Sequence, residues 1–137
     1  MNGFDTNVWI YSHDSRDPQK QQIANDLIAM IRPFALPWQV GCEFIAASRK
    51  LHGVGFTVAK AWAALDDMQN LASTLLMPGP ALWTDARDFQ NRFQLSVWDA
   101  LLVAACIGGG VQTLYSEDFG QIRQIDSLAI INPFTGP

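Results

Sequence analysis

The chain has 137 residues, of which 49% are hydrophobic and 16% charged, with a formal net charge of −4. That length sustains a single domain, expected over residues 1–137, that hides roughly two thirds of the surface of its unfolded chain, and the composition excludes disorder. The negative balance excludes a general attraction for nucleic acid, so any such substrate has to be held by a local basic patch or by bound cations.

Met1 to Phe4 reads as a brief strand, followed by a turn and a short helix capped by Asp5 or Thr6. Asp14 to Pro18 is a polar turn. Ile23, Leu27, Ile28 and Ile31 then recur at helical spacing, and Pro33 ends that helix. Phe34 to Leu36 is a second strand, and Gln39 to Leu51 a helix with Val40, Phe44, Ala47 and Leu51 on its inner stripe. Glu43 falls at the edge of that stripe, with neither Arg49 nor Lys50 at the spacing a helical ion pair prefers. Thr57 is expected to cap a helix through Ala72 with Val58, Trp62, Leu65, Met68 and Leu71 inward, while Asp66 and Asp67 lie on a solvated face.

Leu75 to Met77 is a third strand, and Asp85, Arg87, Asp88 and Arg92 decorate an exposed helix over Leu82 to Phe93. Ser96 caps the next helix, which runs to Ile107 and stops at Gly108 to Gly110. Val111 to Tyr115 is a fourth strand and Leu128 to Ile131 a fifth. Short apolar strands alternating with helices predict an α/β domain whose mainly parallel sheet, of about five strands, is covered on both sides. Both cysteines, Cys42 and Cys106, sit in apolar helical sequence and are expected to be buried thiols in a reducing compartment. With no basic and apolar leader after Met1, and no apolar run near the roughly 18 residues that span a bilayer, a cytoplasmic protein without a membrane segment is expected.

Asp99 is the only formal charge between Arg92 and Glu117, so its apolar segment, Leu95 to Gly120, predicts a deeply buried carboxylate in need of a partner. Ligands in such sheets collect beyond the carboxyl ends of the strands, where Asp5 and Asp118 both lie. Four acids, Asp5, Glu43, Asp99 and Asp118, can therefore converge. Oxygen ligands without paired His or Cys suit Mg²⁺ or Mn²⁺, which can activate water for attack on a phosphodiester. Each acid also has a plainer reading: Asp5 as a helix cap, Asp99 in a Ser96-x-x-Asp99 capping box, Asp118 as a turn residue, Glu43 as a rim charge. Arg16, Arg49, Lys50 and Arg92 are candidate substrate contacts, but nothing in the sequence brings them together.

Phe4-Asp5-Thr6-Asn7-Val8, Cys42-Glu43-Phe44, Ser96-Val97-Trp98-Asp99-Ala100 and Leu114-Tyr115-Ser116-Glu117-Asp118-Phe119 resemble, in this order, the motifs of PIN domains. The tail with Ile131-Asn132-Pro133-Phe134 is similar to bacterial members of the VapC toxin type. The resemblance implies a three-layer α/β/α sandwich and a Mg²⁺- or Mn²⁺-dependent ribonuclease, dimeric and held inactive by a cognate antitoxin. It implies that Asp5, Glu43, Asp99 and Asp118 hold metal and position water, with Asn7, Ser116 and Thr6 orienting those acids. A metal-dependent DNA nuclease and a catalytically silent binding module of the same fold are the alternatives. A receiver domain and a haloacid-dehalogenase-type phosphatase are disfavoured, because no lysine follows Lys60 and Asn7 stands where the phosphatase needs a second aspartate.

Overall fold

In the computed structural model, residues 1–135 are described; the last two residues of the expected 1–137 domain lie outside them. The sheet is built from β1 (Asn2–Phe4), β2 (Phe34–Pro37), β3 (Thr74–Leu76), β4 (Thr113–Tyr115), β5 (Gln124–Ile125) and β6 (Leu128–Ile131). Its order is β3-β2-β1-β4-β6-β5, with every pair parallel except β5/β6. The sheet thus has six strands where about five were expected. The extra one is the two-residue β5, too short to carry an alternation signal, paired antiparallel with β6 across a turn with Asp126 at φ 50°.

The helices are α1 (Thr6–Tyr11), α2 (Pro18–Met30), α3 (Trp38–Ala47), α4 (Val58–Leu71), α5 (Ala81–Phe93) and α6 (Val97–Gly108), with a 3₁₀ segment at Ser48–Val54. Side chains start four of them: Asp5, Asp17, Thr57 and Ser96 accept the first free N–H groups of α1, α2, α4 and α6. The first four helices pack among themselves and α5 packs on α6, giving the three-layer α/β/α sandwich. From β1 the chain steps outward to β2 and β3, then returns past β1 to β4. Crossovers of one hand place the two helix groups on opposite faces, and the direction reverses between β1 and β4. Among the described residues, no helix is long and apolar enough to cross a membrane.

Phe4, Phe34, Leu36, Phe44, Leu102 and Leu114 are among the fully buried side chains that fill both sides of the sheet. The end of α6 closes on β3 at Gly109, where an added Cβ would lie 2.6 Å from the Leu76 methyl carbons. Two packing expectations are overturned. In α4 the buried residues are Ala61, Ala64 and Met68, whereas Val58, Trp62 and Leu71 are exposed. Its small residues let the helix lie close to its neighbours: Leu65 stands against α3, 3.1 Å from the position of a Gly41 Cβ, and Ala64 and Met68 border Trp9 of α1 and Ile28 of α2. Cys42 is exposed at a groove between α3 and α4, whereas Cys106 is buried and its thiol is pushed up to about 12 by burial.

Phe4 anchors the centre of the sheet, its ring 5.1 Å from Phe34, 5.6 Å from Trp9 and 5.7 Å from Tyr115. Phe4→Ala is expected to lower unfolding free energy by about 3–5 kcal/mol in urea titration, and Phe4→Leu by clearly less.

Candidate metal centre

β1 and β4 are parallel neighbours with Phe4 opposite Tyr115, so both strands end at one level. The next residues, Asp5 and Ser116, open the crevice that a reversal of crossover direction leaves between adjacent strands. Asp5 continues the ladder by donating its N–H to the Tyr115 carbonyl at 2.9 Å. Its carboxylate is 4% exposed. Oδ1 accepts from the Thr6 N–H at 2.7 Å and Oδ2 from the Ser116 hydroxyl at 2.6 Å. Asp5 is therefore the cap of α1 and a member of the site together.

Ser116 Oγ in turn accepts from the Asp118 N–H at 3.1 Å and from Asn7 Nδ2 at 3.4 Å. Asn7 Nδ2 also donates to Asp118 Oδ2 at 3.0 Å, and its own Oδ1 is buried without a protein partner. Asp99 enters from the first turn of α6, where its N–H donates to Ser96 Oγ at 3.1 Å. Asp5, Asp99 and Asp118 each offer a carboxylate oxygen, all within 4.8 Å of one another. Asp99 is only half-buried, unlike the deep burial expected of its segment, because Val97 and Trp98 turn outward at the start of the helix and leave the carboxylate at a rim.

Glu43 stands outside this triplet. Its Oε2 accepts from Thr6 Oγ1 at 3.1 Å and its Oε1 from Gln39, whose Nε2 also donates to the Trp98 carbonyl at 2.9 Å. The sequence-predicted residues Asp5, Thr6, Asn7, Glu43, Asp99, Ser116 and Asp118 thus occupy one end of the sheet, with three acids in mutual reach and the fourth joined through Thr6. Neither Arg49 nor Lys50 pairs with Glu43.

Burial pushes Asp5 up to about 7; the bonds from Ser116 and Thr6 oppose that rise, while the charges of Asp118 and Glu43 add to it. Asp99 is also raised, first by burial, then by the charge of Asp118. Among the described residues, no Lys or Arg is bonded to any of the three aspartates. Carboxylates this close, with no cation between them, retain a proton or take up a positive ion.

A cleft of about 490 Å³ opens beside the triplet, lined by Thr6, Asn7, Glu43 and Asp118 and by Tyr11, Arg16, Lys50 and Glu117. Sequence reasoning missed the bracing at its edges. Tyr11 donates to Glu117 at 2.7 Å, and Lys20 reaches both the Tyr11 hydroxyl, at 3.1 Å, and Glu117, at 3.3 Å. Gln39 was legible in principle, being four residues before Glu43 on one helix face. The Lys20 to Glu117 contact, 97 residues apart, carries no local signal.

Residues 4–127 match the PIN domain family, to which the chain belongs. The fold is similar to that of a toxin–antitoxin complex from Klebsiella pneumoniae (TM-score 0.70, 15% identity, covering 98% of this chain and 98% of that one). It is also similar to Mycobacterium tuberculosis VapC20, a sarcin–ricin loop cleaving toxin (TM-score 0.69, 19% identity, 87% and 92% covered). A third likeness is to Rickettsia felis VapBC2 bound to a DNA fragment from its promoter (TM-score 0.67, 13% identity, 96% and 97% covered). At these identities the likeness is one of fold. A comparison with curated proteins finds no match.

The raised Asp5 has a consequence for stability. A carboxylate whose folded value lies above its unfolded one favours folding fully below the unfolded value, near 3.8, and loses that contribution as pH rises through about 7. Without divalent metal, thermal stability of the wild type is expected to fall between pH 4 and pH 7 relative to Asp5→Asn, by on the order of 4 kcal/mol. Melting curves of both proteins in EDTA across that range measure the difference, and parallel curves would contradict it.

Proposed function

We propose that the protein is a Mg²⁺- or Mn²⁺-dependent endoribonuclease, the toxin of a VapC-type toxin–antitoxin pair, with the whole chain acting as one nuclease domain. The observation that carries this reading is the mutual approach of Asp5, Asp99 and Asp118 within 4.8 Å at the strand ends. The donor set fits a hard divalent ion: it is all carboxylate oxygen, and it lacks a protein cation. Asp5, Asp99 and Asp118 would hold the ion, with Glu43 contributing from the cleft side. When bound, such an ion would supply a water of lowered pKa and neutralise charge developing in in-line displacement at phosphorus.

The chain's own contribution is preorganisation. Ser116 and Thr6 fix both oxygens of Asp5. Asn7 holds Asp118, and Thr6 with Gln39 holds Glu43. Constraining carboxylates in this way spares the site their rotamer freedom at the moment of binding. The cleft next to them receives the substrate strand. RNA is preferred as substrate because one neighbour of the same fold is a sarcin–ricin loop cleaving toxin.

A cognate antitoxin is the proposed partner, since two of the similar structures are of toxin–antitoxin pairs. An apolar groove of about 370 Å³ between α3 and α4, lined by Trp38, Cys42, Ile45, Trp62 and Leu65, provides surface for it. Trp38 and Trp62 stand about half exposed there, and exposed aromatic surface of this kind marks protein contacts. A homodimer in the cytoplasm completes the proposal.

Purified protein incubated with a panel of RNAs and DNAs is expected to cut RNA in Mn²⁺ and not in EDTA. Asp99→Asn should lower the rate by roughly 10²-fold or more. Equal cutting by that variant would sink the mechanism, and metal-dependent cutting of DNA alone would sink the RNA assignment. Independently of turnover, Mg²⁺ or Mn²⁺ should raise the melting temperature of the wild type, by the equivalent of about 2.7 kcal/mol at a hundredfold excess over the dissociation constant. Asp99→Asn should blunt that rise; an unshifted wild type at millimolar metal would count against the proposed centre.

A further inference from the structure

The cleft beside the carboxylates carries acids on its floor, so a polyanion entering it needs cations of the chain's own. Of the nine Lys and Arg residues, Arg92 is bound to Asp88 and Asp126, Lys20 to Glu117 and Arg16 to Asp14. Two basic residues line the cleft, Arg16 from the loop between α1 and α2 and Lys50 from the 3₁₀ segment after α3. We infer that these two side chains grip the phosphates of a single strand on its way to the carboxylates, an inference that rests on the nuclease reading above.

Arg16 is prepared for such a contact. Its Nε and Nη2 donate to Asp14 Oδ1 and Oδ2 at 2.8 and 3.0 Å, and its backbone N–H donates to Oδ1 at 3.0 Å. The Asp14 side chain is 8% exposed, so the fork is pinned from beneath, while the Arg16 side chain remains 52% exposed. The rest of its N–H donors have no protein acceptor among the described residues. A guanidinium already held in one geometry loses less freedom when it takes a phosphate. Lys50 differs: it is exposed and makes no ion pair with any described residue, so its full charge is available. The two act as a fixed fork and a mobile point charge on different elements bordering one cleft.

The small number of cations selects the substrate form. Duplex recognition spreads over roughly 1,000–2,500 Å² of strongly positive surface, which a chain of net charge −4 with two basic residues at the cleft does not supply. An unpaired strand can bend its backbone into the cleft, whose volume is within the range of small-ligand sites.

The test is a fluorescence anisotropy titration of a short unstructured RNA, and of a duplex of the same sequence, over a series of KCl concentrations. The full chain is used with Ca²⁺ as the oxygen-bound dication, and RNA integrity is checked on gels. Single-strand contacts contribute about −0.7 each to the slope of log K against log salt, so two grips predict about −1.4 from these residues. Lys50→Ala and Arg16→Ala are each expected to flatten the slope by about 0.7 and to weaken RNAs of different sequence equally. Neither should alter the melting shift produced by Mn²⁺. Because Arg16→Ala strips the buried Asp14 of its partner, Arg16→Gln, which keeps a donor, is measured beside it, with circular dichroism to verify folding. Tight RNA binding with unchanged slopes in the folded variants overturns the grip and leaves the nuclease reading standing. No RNA binding by the parent protein counts against the nuclease reading itself, and tighter binding of the duplex overturns the single-strand assignment.

Discussion

A buried carboxylate at the meeting point of two parallel strands is the constraint around which this molecule is arranged. Asp5 follows β1 directly, and removing it from water costs several kcal/mol unless donors meet it. The sheet provides one such donor because β4 is the neighbour of β1 and ends at the same level, delivering the Ser116 hydroxyl to Oδ2. Helix α1 provides the other through the Thr6 N–H. Strand order, helix start and loop exit are thereby linked at a single side chain. The donors moderate the cost of burial without removing it, since Asp118 and Glu43 bring like charge to the same place and Asp5 stays raised to about 7. Positive charge is what the apex lacks.

Several residues at this end of the sheet serve the fold and the carboxylate cluster at once. Asp5 and Ser96 both start helices, and each does so beside a carboxylate of the triplet or as part of it. Ser116 fills its hydrogen-bonding capacity with contacts to Asp5, Asp118 and Asn7. The Gln39 amide ties Glu43 on α3 to the Trp98 carbonyl at the start of α6, so the two helix layers are linked across the end of the sheet. Such double use concentrates constraint where positional precision matters most.

Much of this was legible in the residues, for identifiable reasons. Strands β1 to β4 and β6 are short apolar runs between helices with recognisable caps, so alternation predicted a parallel sheet, and that sheet places Asp5 and Asp118 beyond its carboxyl ends. β5 escaped because two residues show no period. Periodicity weighs large apolar residues most heavily and so favours Val58 and Trp62 as the inner face of α4, whereas the fold buries the smaller Ala61 and Ala64 there. The apolar helix points to deep burial of Asp99; the outward turn of Val97 and Trp98 leaves the first turn of α6 at a rim instead. The pairing of Lys20 with Glu117 depends on the tertiary fold alone. So does the gathering of Arg16 and Lys50 at one cleft.

The hydrogen bonds to Asp5 also limit what that carboxylate can still accept. A carboxylate offers about four lone-pair sites over its two oxygens, and here each oxygen already spends one on Thr6 or Ser116. One site on each oxygen remains for a proton or a cation, in directions that those two bonds fix. Asp99 is half-buried and Asp118 exposed, with Asp118 held by Asn7 through Oδ2 alone. Of the three acids, Asp118 and Asp99 thus meet the solvent first, and Asp5 forms the fixed floor beneath them.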